Sequence, residues 1–127
     1  MLEDSVLRKR DFMKRYEEMS TKYANAIAPL SKKALVVKAI KSVAPSYYIS
    51  YDYARRLLRL YRRGLLPKSY NPLRRSMIEE IAQRVDKIKT SMTSHAEGYA
   101  LVKVLAAGNA SRFFITPATA VKLIKNS

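Results

Sequence analysis

Cysteine is absent from this 127-residue chain. Disulfides and thiolate-held metals are therefore excluded. There is one histidine, His95, so no imidazole cluster can be assembled. Glycine occurs only 3 times, and the chain contains neither a Gly-rich phosphate loop nor a G-x-S-x-G nucleophile turn. Carboxylates are sparse, 10 Asp and Glu against 25 Lys and Arg. Glu79 and Glu80 are adjacent, and adjacent residues on a helix point apart. We therefore expect no enzyme, no cofactor and no metal. No apolar run approaches the roughly 20 residues that a membrane-spanning helix needs. The opening MLEDSVLRKRDFMKRYEE is charged throughout, unlike a secretory leader. The expected setting is the cytoplasm, without a membrane partner.

What is present is helix-forming. Hydrophobic residues make up 48% of the chain, enough for a core, and Ala, Leu, Lys, Arg and Ile dominate. A first helix is expected over 4–28, capped by Asp4 or Ser5 and stopped by Pro29. Its apolar stripe is Val6, Met13, Tyr16, Tyr23 and Ile27, with Phe12, Met19 and Ala26 beside it. That stripe can pack on the rest of the chain or on a second copy. Ser31 caps a second helix, 32–43, with Leu35, Val36, Ala39, Ile40 and Val43 inward and Pro45 ending it. Ser50 caps a third, 51–63, with Ala54, Leu57, Leu58 and Tyr61 inward and Gly64 suited to the left-handed turn beyond it. Asn71 and Pro72 open a fourth, 72–90, striped by Leu73, Met77, Ile78, Ile81, Val85 and Ile88. Ser94 and Glu97 form a capping box for a fifth that ends at Gly108. Thr116 and Pro117 open a sixth, to Lys125. The expectation is an all-α protein: a compact bundle of about six helices in a single domain, 1–127.

The chain also repeats itself. Shifted by 66 residues, 34–58 overlays 100–124 without a gap, with 7 of 25 positions identical and 5 more conservative. The identities are Ala34/Ala100, Leu35/Leu101, Val36/Val102, Ala44/Ala110, Ile49/Ile115, Ala54/Ala120 and Leu57/Leu123. Tyr47 and Tyr48 correspond to Phe113 and Phe114, and Ser50 to Thr116. Each copy reads as helix, connection, capped helix. That is the layout of a helix-turn-helix, although the connection APSYYIS is longer than the usual turn and lacks its glycine. Two similar helix-turn-helix-like hairpins are expected, with a plain αα-hairpin as the alternative.

The net charge is +15, which favours a polyanionic partner. No acid lies between Tyr53 and Ile78, whereas Arg55, Arg56, Arg59, Arg62, Arg63, Lys68, Arg74 and Arg75 all do. On the helix over 51–63, Tyr51, Arg55, Arg59 and Arg62 share a face, and Asp52, Arg56, Arg59 and Arg63 share the adjoining one. Arginine suits bidentate contact with phosphates and guanine edges. The start of the helix over 72–90 adds Arg74, Arg75 and unpaired backbone N–H groups. Tyr47 and Tyr53 are expected in the core and Tyr51 at the contact. The second copy has Val121 and Lys125 where the first has Arg55 and Arg59, so it reads as a packing copy or as a weaker contact through Arg112, Lys122 and Lys125. The expected function is nucleic-acid binding, DNA before RNA. The expected site is Tyr51, Arg55, Arg56, Arg59, Arg62, Arg63, Lys68, Arg74 and Arg75. One alternative is an adaptor or assembly protein on an acidic surface, with the helix over 4–28 as its oligomerisation element. Another is single-strand binding through the tyrosines. A third is a solvated face neutralised by the chain's own Glu17, Glu18, Glu79 or Glu80.

Overall fold

Short side chains open the helices where the sequence places them. The computed structural model describes residues 3–25, 30–67, 71–90 and 97–125. The helices are α1 (Asp4–Lys22), α2 (Lys32–Ile40), α3 (Tyr51–Arg62), α4 (Pro72–Thr90), α5 (Glu97–Ala107) and α6 (Pro117–Lys125). The all-α expectation holds. Ser31, Ser50 and Thr116 accept from the N–H three residues on, at 3.1, 3.2 and 3.1 Å. Each satisfies a donor that the first helical turn leaves open. At its other end α3 closes in a Schellman motif. Gly64 N–H reaches Tyr61 O at 3.1 Å, Leu65 N–H reaches Leu60 O at 2.8 Å, and Gly64 takes φ +67°.

Several boundaries differ from expectation. α1 starts after Glu3 with no side-chain cap, so neither Asp4 nor Ser5 serves. It stops at Lys22, not at 28, with Tyr23 N–H bonded to Met19 O at 3.1 Å. Thr21, Tyr23 and Asn25 are weak helix formers, and they end it before Pro29 is needed. Ala26, Ile27 and Pro29 lie outside the described residues, as do Ser94 of the capping box and His95. α2 ends at Ile40, where the Ser42 hydroxyl donates to Ala39 O at 2.6 Å and turns the chain. Val43, expected inward, is consequently exposed.

The chain divides into two compact units. The first joins Met1–Tyr48 to Asn109–Ser127 and holds α1, α2 and α6. Its centre is Phe12, fully buried and edge-on to Phe113 at 5.4 Å. Val6, on the expected stripe, is exposed instead. α1 packs on α2 and α6, so its apolar side is used inside this unit. The second unit, Ile49–Gly108, holds α3, α4 and α5 around Leu57, Leu58, Ile78, Ile81, Val85 and Leu101. Among the described residues no helix is long and apolar enough to cross a membrane.

The repeat acquires a physical meaning in the first unit. Ala44 and Ala110, equivalent in the two copies, form an antiparallel bridge, with Ala44 N–H on Ala110 O at 2.9 Å. The aromatics then pair crosswise. Tyr47 stacks on Phe114 at 6.3 Å and Tyr48 on Phe113 at 6.2 Å. Residue i meeting the equivalent of j, and j the equivalent of i, is the pattern of a local two-fold contact. The helices follow suit: α2 of the first copy packs on α6 of the second within the first unit, and α3 packs on α5 within the second. Each copy therefore begins in one unit and ends in the other, and the hairpin expected within a copy is not a packing element of either. Tyr48 holds φ +55°, unusual for a side chain of its size, and its hydroxyl donates to Asp11 on α1 at 2.7 Å.

Candidate nucleic-acid interface

α3 buries Ala54, Leu57 and Leu58 against the rest of its unit. The 3.6-residue period then carries Arg55, Arg56, Arg59 and Arg63 to the opposite side, where all four are exposed. Among the described residues the side chains of Arg55, Arg59 and Arg63 make no hydrogen bond or ion pair. Like charges three or four apart on a helix cost roughly 0.2–0.5 kcal/mol per pair. Arg59 recovers some of this from the negative end of the helix dipole, but Arg55 and Arg56 lie further from it. Asp52 is the only acid of α3.

Tyr53, expected in the core, is half-buried and organises the basic groups around it. The Arg56 guanidinium lies 5.7 Å from its ring centroid and that of Arg74 lies 5.4 Å from it. Arg74 Nη1 also donates to the Tyr53 hydroxyl at 2.7 Å. One tyrosine thus links the α3 face to the start of α4. The sequence signal was the spacing of Tyr53 and Arg56, three apart on one helix.

Two expected site residues are occupied within the protein. Arg62 donates two bonds to Asp86, at 2.6 and 3.1 Å, and one to Glu97 at 2.9 Å. Its hydrogen bond to Asp86 is the largest cause of a raised guanidinium pKa and holds the Asp86 carboxyl below its ordinary value. Arg62 thus clips α3 to α4 and α5, because α3 turns it toward their acids and away from the outer face. Arg75 donates to Leu66 O at 3.3 Å and Pro67 O at 2.6 Å, bracing the loop before α4. The α4 start is also less open than expected. Asn71 Oδ1 takes the Leu73 N–H at 2.9 Å, and Asn71 O takes the Arg75 N–H at 3.0 Å. Lys68 lies outside the described residues. As for the acids expected to neutralise the face, Glu18 meets Arg15 at 3.7 Å and Glu80 meets Arg84 at 3.8 Å.

Tyr51 is half-buried beside Gly98, where any Cβ would fall 2.7 Å from its hydroxyl. Between α3 and α5 opens a cleft of about 400 Å³, lined by Arg55, Leu58, Arg59, Glu97, Gly98, Tyr99 and Leu101. Glu97 and Tyr99 were missed in the sequence because neither forms a motif with the arginines; the packing of α5 on α3 brings them together. In the second copy, Arg112 donates to Phe113 O at 3.0 Å and Ile115 O at 3.3 Å, which fixes the connection. Among the described residues no three acidic or histidine side chains converge as a metal site. The chain matches no protein-family model, no curated protein and no solved structure.

Proposed function

We propose that the protein binds nucleic acid, DNA in preference to RNA, in the cytoplasm and without catalysis, through the outer face of α3. The carrying observation is the exposed set Arg55, Arg56, Arg59 and Arg63, joined to Arg74 through Tyr53. A face that repels itself and has so little acid nearby gains most from a chain of phosphates. Tyr51 borders this face; Arg62 and Arg75 support it from behind. Phosphate contacts dominate the affinity in this reading, so binding falls steeply with salt. A mobility-shift titration with a duplex DNA from about 50 to 200 mM salt is the test. The expected result is a shift at low salt that weakens log-linearly. No shift at the low end overturns the proposal.

A further inference from the structure

The cleft beside the arginine face has more chemistry than phosphate binding requires. About 400 Å³ lies in the range of small-ligand pockets. Its floor is apolar, from Leu58 and Leu101, both at 1% exposure or less. Its rim carries Tyr99, which is 50% exposed and has the Lys103 ammonium 5.2 Å from its ring centroid. Arg55 and Arg59 stand on the α3 side. Glu97 brings a carboxylate to the cleft, with Oε1 accepting from Arg62 at 2.9 Å and lying 3.8 Å from the Lys89 ammonium.

A flat heterocycle with a donor edge and an attached phosphate matches this arrangement. We propose that the cleft takes one unpaired nucleotide. The base stacks on Tyr99 above Leu58 and Leu101, an exocyclic amino group donates to the Glu97 carboxylate, and the phosphate lies on Arg55 and Arg59. Adenine, cytosine and guanine offer that amino group. Thymine offers only an N3–H between two carbonyls, which would face the carboxylate. The proposal rests on the nucleic-acid reading and adds to it a preference for sites with an unpaired, amino-bearing base.

Amide chemical-shift mapping with mononucleotides tests the cleft separately from duplex binding. Adenosine 5′-monophosphate is expected to shift Gly98, Tyr99 and Leu101, thymidine 5′-monophosphate to bind more weakly, and ribose 5-phosphate to leave the α5 amides in place. Tyr99→Ala is expected to weaken adenosine 5′-monophosphate about tenfold or more, and Tyr99→Phe to retain it. Equal shifts from ribose 5-phosphate, or unchanged affinity in Tyr99→Ala, overturn the base site. Tyr99 is exposed, so neither variant threatens the fold. A blunt duplex is titrated in parallel. Duplex binding without a mononucleotide response removes the cleft proposal and leaves the α3 reading standing; a mononucleotide response without duplex binding does the reverse; failure of both removes both.

Discussion

Tyr53 and Arg62 show how a residue's use depends on the helix it meets. Both lie on α3, Tyr53 was expected in the core and Arg62 at the contact, and in each case a neighbouring helix supplies the partner that decides. Arg62 meets Asp86 and Glu97, and removing it takes the ion pair from Asp86 and leaves Glu97 with Lys89 alone among the described residues. These acids keep 54% and 37% of their side-chain surface in water, so Arg62→Ala should cost only about 1 kcal/mol in urea unfolding, well below the cost of breaking a buried pair. Asp86 has a lowered pKa through its bond to Arg62, so its stabilisation is present above the ordinary carboxylate pKa and is lost as pH falls through the folded value. The difference between wild type and Arg62→Ala should therefore shrink as pH is lowered below about 4. Tyr48 carries the opposite sign. Burial, then its bond to Asp11, raises its phenol pKa, so that contribution is intact below about pH 10 and fades as pH rises beyond it. Tyr48→Phe should lose about 1 kcal/mol at neutral pH and be less sensitive to alkali, read by thermal melts across the alkaline range.

Helices differ in how completely their neighbours in sequence specify them. α4 runs Pro72–Thr90 as its stripe requires, because its start is locked by proline and its core positions repeat cleanly. α1 and α2 stop short, since their ends are set by Tyr23 and Ser42 bonding back to the last turn. For α3, the apolar side locates the core and the exposed side locates the arginines without reference to any other helix. The binding role proposed for it has a quantitative consequence. Arg55→Ala with Arg59→Ala should reduce the salt slope of DNA binding by about two phosphate contacts, while circular dichroism stays unchanged. An unchanged slope would separate these residues from the site. Gly64→Ala tests the α3 end: φ is +67° but nothing lies within 4 Å, so backbone strain alone should cost about 1 kcal/mol in a chemical melt.

For the molecule as a whole, the two units are built differently along the chain. Ile49–Gly108 is continuous and has its own core, with Arg62 clipping three helices together. Expressed alone, 49–108 should fold cooperatively, as seen by circular dichroism and a sigmoidal urea transition. The other unit needs both ends of the chain, because Phe12 buries against Phe113 and Ala44 bonds to Ala110. Residues 1–48 alone should therefore remain unfolded. In the intact chain Phe12→Ala should cost about 3–5 kcal/mol, measured by thermal or urea unfolding.

The residue order alone carries the all-helical character, the serine and threonine caps, the Gly64 turn, the duplicated segment and the arginine stripe. All of these depend on contacts within a few residues, or on a period of 3.6. It did not carry the partners of Arg62, the exchange of helices between the two copies, the crossed pairing of Tyr47 and Tyr48 with Phe114 and Phe113, or the assembly of the cleft. Those depend on residues tens of positions apart in sequence. Their proximity is settled by which apolar faces bury one another, and a local pattern holds no record of that choice.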